Sequence, residues 1–259
     1  MIVIAIVSAK GGVGKTTTTA NLSAGIAQRG YPSLVIDLDP QNAVQWHMGG
    51  GDQSDTSGIS TIANRATSRL WDAAYSSTFG VDFVPYGSAG EQQRIAFEQV
   101  LEQDEDWLLN QLLRANLPKD TFVFLDTPPG PSIYLTQAIN AADFLLVVLL
   151  ADAASYATIP EMESLMDSHN AISTMFKPSA YVVNQGSNKQ LAQDVIALFS
   201  ERLGDRMLPC VIPESTQLEE ALAYGYPILQ SAPDSPAAQA IQELITHLMH
   251  ILNEMWIRQ

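Results

Sequence analysis

One glycine-rich turn constrains this chain more than any other feature: Ser8-Ala9-Lys10-Gly11-Gly12-Val13-Gly14-Lys15-Thr16-Thr17, set between the apolar run 1–7 and an Ala/Thr/Leu-rich stretch. Glycines let the backbone curl so that successive N–H groups and a helix N-terminus aim at phosphate oxygens, where side chains would block the approach. In such a loop Lys15 is expected to supply charge to the β- and γ-phosphates, and the Thr16 hydroxyl to ligate Mg²⁺. The context is the required one, because the loop follows a strand-like run and opens a helical one.

Beyond it, short β-rich runs alternate with longer amphipathic stretches, as expected when helices cross over between parallel strands buried on both faces. Strands are predicted over 2–7, 33–36, 81–85, 121–125, 144–150, 180–183 and 208–212, and helices over 16–29, 91–115, 135–142, 159–169, 189–203, 218–223 and 236–256. The fold class is α/β, a mostly parallel central sheet with helices on both faces, and a hydrophobic content of 46% suffices for its core. No Pro/Ser linker or repeat divides the chain, so a single domain over 1–259 is expected. The segment 49–60, GGGDQSDTSGIS, reads as a mobile loop, and the acids Glu98, Glu102, Asp104, Glu105 and Asp106 as a solvated helix face.

Charge and cysteine content narrow the function classes. The net charge is −15, yet residues 1–36 carry Lys10, Lys15 and Arg29 and no acid, a basic island on an acidic chain. The single cysteine, Cys210, offers neither an intramolecular disulfide nor a cysteine-based metal cluster, and a reducing cytosol is the expected compartment. The apolar start lacks a basic n-region and runs straight into the phosphate loop, so it reads as a buried strand rather than a signal peptide. The longest other apolar run, 144–151, falls short of the roughly 20 residues that span a bilayer.

The strict phosphate-loop pattern wants glycine where this chain has Ala9; with Lys10 present, K-G-G-x-G-K-T-T instead resembles the deviant Walker A motif of the ParA/MinD family of dimeric P-loop ATPases. The resemblance implies a three-layer P-loop fold, ATP and Mg²⁺ as ligands, contacts from Lys10, Gly11, Gly12, Val13, Gly14, Lys15, Thr16 and Thr17, and an ATP-dependent homodimer in which Lys10 reaches the phosphates. The run 34–41, LVIDLDPQ, resembles the family's first switch, which gives Asp37 metal support and Asp39 the attacking water. The run 122–130, FVFLDTPPG, resembles Walker B and the second switch, with Asp126 holding Mg²⁺ through water. Asn184, at the end of a strand, corresponds to the adenine-reading asparagine, and Pro213-Glu214 to the loop over the base; no N-K-x-D guanine motif occurs.

Within the family, one cysteine cannot bridge an iron–sulfur cluster, and no tyrosine cluster of the related kinases is present. Ten Lys and Arg lie beyond Arg29 against 28 acids, so direct DNA binding is disfavoured. The helix expected over 241–257 carries Glu243 and Glu254 but no Lys or Arg, which argues for packing on the sheet rather than attachment to anionic lipid. The run 39–49 (DPQNAVQWHMG), the run 78–87 (TFGVDFVPYG) and the late Leu208-Pro209 and Ile212-Pro213-Glu214 resemble the BcsQ branch of the family, encoded with bacterial cellulose synthase. That implies a cytoplasmic ATPase switch acting on proteins of the cellulose synthase and secretion assembly, peripheral to the inner membrane only through them; the alternatives are a ParA-type partition ATPase that binds DNA non-specifically when dimeric and an ATP-bound scaffold with negligible turnover.

Overall fold

A computed structural model describes residues 1–49, 57–63, 69–172 and 177–257, with the side chains of 169–172, 256 and 257 excepted. Residues 50–56 of the expected loop therefore lie outside the described residues, while Ile59 and Ser60 at its end are buried in a short helix. The strands are β1 (Ile2–Val7), β2 (Ser33–Asp37), β3 (Tyr75–Ser76), β4 (Asp82–Val84), β5 (Phe122–Asp126), β6 (Phe144–Leu150), β7 (Ser179–Gly186) and β8 (Met207–Pro213). They form one sheet in the order β3-β4-β2-β5-β1-β6-β7-β8, parallel throughout except where β3 meets β4.

Strand β1 is buried along its whole length, and its side chains divide by parity. Ile2, Ile4 and Ile6 face a layer made of α1 (Lys15–Gln28), α2 (Val44–His47), and, later in the chain, a layer-mate group at 216–223, 228–231 and 236–257. Val3, Ala5 and Val7 face the opposite layer, which holds α3 (Ile59–Ile62), α4 (Glu91–Gln103), α5 (Trp107–Arg114), α6 (Ile133–Ala141), α7 (Ala153–Ile172) and α8 (Gln190–Leu203). The group in the first layer comprises α9 (Thr216–Ala223), α10 (Ile228–Ser231) and α11 (Pro236–Ile257). The result is the expected three-layer arrangement. Helix α11 does pack on the sheet, burying Ile241, Leu244, Ile245, Leu248 and Leu252, each worth about 1.5–3 kcal/mol of burial. Arg29 fastens it further, donating to the Gln242 carbonyl at 3.2 Å and to Thr246 Oγ1 at 3.0 Å. No described helix is long and apolar enough to cross a membrane.

Two helical expectations differ from the structure. The single helix over 91–115 is split into α4 and α5, because the buried amide of Gln137 on α6 intercepts its hydrogen bonds. Gln137 Nε2 donates to the carbonyls of Leu101 and Asp104 at 3.0 and 2.6 Å, and its Oε1 accepts the Leu108 N–H at 3.0 Å. The helix over 159–169 instead begins at Ala153 and carries Pro160 inside it. Its first turn is fixed by Asp152, whose Oδ1 accepts the Ser155 N–H at 2.7 Å, so Pro160 costs one helical hydrogen bond but does not mark the start. The two-residue β3, held to β4 by stacking of Tyr75 on Phe83, is too short to show a period in the sequence.

All the carboxyl ends of the parallel strands lie at one edge of the sheet. From β1 the chain crosses over towards β2, whereas the connections after β5 run to the other side of β1, so the strand order reverses beside the phosphate loop. Ligand crevices of open α/β sheets form at such a point.

Candidate nucleotide site

The loop after β1 wraps back on itself. Ser8 Oγ donates to the Lys10 carbonyl at 2.7 Å, and the Ser8 carbonyl accepts the Gly130 N–H at 3.0 Å, tying the loop to the segment after β5. Gly12 and Gly14 take φ values of +74° and +89°. At these values an L side chain is strained, and a Cβ on Gly14 would also lie 2.2 Å from Asn184 Nδ2. Helix α1 follows at once with no acid in its first turn, so its N-terminal dipole is left for an external anion.

Beneath the loop lies a buried charge cluster. Asp37 and Asp126 are register partners on β2 and β5, and both are fully buried. Asp126 Oδ2 accepts from Thr16 Oγ1 at 2.6 Å and Oδ1 from Thr19 Oγ1 at 3.1 Å. Asp37 gives both oxygens to backbone, Oδ1 to the Asp39 N–H at 2.9 Å and Oδ2 to the Val44 N–H at 3.1 Å, and thereby fixes the loop that carries Asp39. Lys15 is buried beside them, its Nζ 3.0 Å from Ser8 Oγ. Burial, reinforced by the charge of Asp126, pushes the Asp37 carboxyl well above the carboxylate range. Burial likewise raises Asp126 to about 6 against the pull of Thr16 and Lys15, and it lowers Lys15 despite Asp126 and Asp39.

The donor set at this point, the Thr16 hydroxyl with the carboxylates of Asp126 and Asp37, consists of hard oxygens short of positive charge, which fits Mg²⁺. Among the described residues no group of three or more His, Cys, Asp or Glu could hold a metal unaided, so phosphate oxygens would have to complete the shell.

The raised carboxyls have a consequence for stability. A carboxyl whose folded pKa of about 6 exceeds its unfolded value of 3.8 binds more protons folded than unfolded between those values, so stability is lost as pH rises through that window. Asp126→Asn should therefore stabilise the protein against urea at pH 7.5, by on the order of 3 kcal/mol, with the gain fading towards pH 4.5. Equal midpoints at both pH values would show that Asp126 carries no such burden.

A cleft of about 490 Å³ opens over the loop, lined by Gly11, Gly12, Gly14, Lys15, Thr16, Thr17, Asp39, Gln41, Ala43, His47, Pro129 and Gln185. Asp39 is partly exposed there, with Oδ1 accepting the Gln41 N–H at 2.9 Å. A second cleft, about 760 Å³, includes Gly186, Pro213 and Glu214 in its walls, and it adjoins the first where Gln185 meets Gly186.

Three expected residues sit differently from the rest. Val13 is buried, and its carbonyl accepts from Asn184 Nδ2 at 2.8 Å. Asn184, 2% exposed, braces the phosphate loop and lines neither cleft, and its Oδ1 has no hydrogen-bond partner among the described residues. Lys10 is turned away from the cleft and paired with Asp152 at the start of α7. The roles of Asp152 and His47 escaped the sequence reading, because contacts made 142 residues away or in a four-residue helix leave no local pattern.

With this geometry in place, the likenesses to known proteins are consistent. A family model described as cellulose biosynthesis protein BcsQ matches residues 1–249. An uncharacterized ATP-binding protein of Methanocaldococcus jannaschii is 31% identical over 252 residues, covering 96% of this chain and 88% of its own. The chromosome partitioning protein ParA of Caulobacter vibrioides is 30% identical over 241 residues, covering 88% of this chain and 86% of its own. The septum site-determining protein MinD of Pyrococcus horikoshii, solved with Mg-ADP, shares the fold with a TM-score of 0.75 at 24% identity over 95% of each chain. On a match that spans almost its whole length, the chain belongs to the BcsQ cellulose biosynthesis protein family, within the ParA/MinD group of P-loop ATPases.

Proposed function

We propose that this protein binds and slowly hydrolyses ATP as a single-domain, dimerising switch, and that it serves the cellulose synthase and secretion assembly as an accessory or localisation factor. The observation that carries the reading is the convergence of the α1 N-terminus, Lys15 and the Thr16–Asp126 hydrogen bond on one cleft. The loop N–H groups and Lys15 hold the phosphates, with Gly11, Gly12, Gly14 and Thr17 forming the cradle. Thr16 would ligate Mg²⁺, with Asp126 holding it through water and Asp37 supporting it; the ion would supply positive charge to the phosphates. Asp39 orients or deprotonates the attacking water, and the adenine lies towards Pro213 and Glu214, with Asn184 bracing the loop beneath.

Lys10 must leave Asp152 to reach the nucleotide of a facing subunit, so closure exchanges one ion pair for another. The γ-phosphate is read by the segments at Asp39 and after Asp126, whose movement remodels the neighbouring surface. Asp39→Ala is expected to cut phosphate release by about 10²-fold. It should also prolong the ATP-bound dimer seen by light scattering. Release at the unmutated rate would remove Asp39 from the chemistry.

The cellulose role rests on the family match and is tested by complementation: in a cellulose-secreting host lacking this protein, the wild-type chain should restore polymer output and Lys15→Ala should not. A second reading, a partition ATPase that coats DNA, is favoured by the likeness to ParA. Against it stands the state of three of the four cations in the stretch 177–206, the fourth, Lys189, being exposed. Lys177 donates to the Asn140 and Ala142 carbonyls, and Arg202 and Arg206 converge on Glu163 at 3.0 and 2.6 Å. Cations so engaged release few counterions from a phosphate backbone. ATP-dependent, salt-sensitive gel shifts would reverse this preference.

A further inference from the structure

His47 closes the short helix α2, immediately downstream of the loop that carries Asp39. It is 6% exposed, and it lines the phosphate cleft beside Thr17, Gln41 and Ala43. Its ring makes no hydrogen bond or ion pair with any described residue. Burial alone holds its pKa down, to about 4, so the imidazole is neutral and offers one donor and one acceptor. No ring nitrogen of His47 is among the fully buried polar atoms that lack a partner, so the imidazole opens on the cleft, whereas Val44 and Met48 of the same turn pack into the core. A ligand in the cleft would meet those nitrogens there.

The helix is also held firmly enough to aim the ring. Its first residue gives its N–H to Asp37, inside the carboxylate pair. At the other end Gly225, after α9, packs so closely that a Cβ there would lie 2.9 Å from the Trp46 carbonyl and the Gly49 Cα. Helix α2 thus bridges α1, which begins at the phosphate loop, and α9, which follows Pro213 and Glu214. A nucleotide with phosphates at Lys15 and base towards Glu214 has its sugar and α-phosphate between the two clefts.

We infer that His47 is a nucleotide-contacting residue, hydrogen-bonding the sugar–α-phosphate portion of the nucleotide so that occupancy of the site anchors α2 and the loop before it. The inference rests on the nucleotide-binding reading above and adds to it a contact from the helix after the first switch that is independent of the γ-phosphate. It predicts that ADP as well as ATP holds α2 in place.

The test is ADP binding by isothermal titration calorimetry with the full-length protein, its His47→Phe and His47→Gln variants, and urea unfolding of each. His47→Phe should weaken ADP about tenfold while leaving inorganic tripolyphosphate affinity and the urea midpoint near the wild-type values; His47→Gln, which keeps a donor, should recover most of the loss. With 2′-deoxy-ADP, a contact to the ribose 2′-hydroxyl would erase the difference between wild type and His47→Phe, and a contact elsewhere on the sugar or to the α-phosphate would preserve it; either supports the assignment. Unchanged ADP affinity in His47→Phe overturns it. So does an equal loss in both variants that tracks a fall in the urea midpoint, the mark of a purely structural histidine. A wild-type protein that fails to bind ADP at all would instead overturn the nucleotide reading itself.

Discussion

Lys15→Ala should leave the chain folded and reduce ATP turnover by roughly 10²–10³-fold, the scale expected when a preorganised charge is removed from a transition state. The expectation follows from where the ammonium sits. Burial lowers the Lys15 pKa, so the fold gains little from keeping the charge there; its return comes when a phosphate occupies the cleft that Lys15 lines. Its loss also removes the cation that pulls Asp126 down, which should raise that carboxyl further and extend to higher pH the range over which stability falls as pH rises. Phosphate release, with circular dichroism as the check on folding, decides the matter. A folded variant that turned over ATP at the wild-type rate would leave the phosphate loop without a chemical role.

The sequence made the layers legible because the strands are buried on both faces and therefore read as unbroken apolar runs, such as Phe144–Leu150. The site was legible for a related reason. Lys15, Thr16, Asp39 and Asp126 each stand at the carboxyl end of a strand or the start of a helix, where residue type is dictated by the ligand more than by packing. What the sequence hid depends on contacts between distant segments. The split between α4 and α5 is made by Gln137, a residue that reads as an ordinary helix position. Asn184 reads as a strand-end residue facing a base, yet its amide is spent on the Val13 carbonyl 171 residues away. Lys10 reads as a phosphate ligand and is found on Asp152.

These hidden contacts share a direction. Asp37 restrains the backbone of Asp39 and Val44, Asn184 restrains that of Val13, and Asp152 restrains Lys10. In the nucleotide-free chain the groups that would act on ATP are held by neighbours rather than left free. The two buried carboxylates are hydrogen-bonded as well, but they lack a full complement of positive charge. Such an arrangement stores unfavourable electrostatics that a metal–nucleotide complex relieves, so ligand binding should couple strongly to stability.

Gly14→Ala should damage both stability and nucleotide binding. Two separate costs meet at this position. The backbone at φ +89° lies outside the range that an L residue adopts cheaply, which costs about 1–2 kcal/mol. The added Cβ, 2.2 Å from Asn184 Nδ2, forces that amide off the Val13 carbonyl and forfeits a buried hydrogen bond worth about 1 kcal/mol. Together they predict a loss of about 2–3 kcal/mol in urea unfolding, a large part of a typical total of about 5–15 kcal/mol. The same displacement turns the loop N–H groups away from the phosphates, so ADP binding should fall below detection even at temperatures where the variant is folded. The two costs are separable by a double-mutant cycle. Asn184→Ala removes the colliding amide but not the dihedral strain, so Gly14→Ala/Asn184→Ala should be less destabilised than the sum of the single variants, by about 1 kcal/mol or more. Strict additivity would mean that Asn184 does not crowd the loop, and the account of why this position requires glycine would then rest on the dihedral alone.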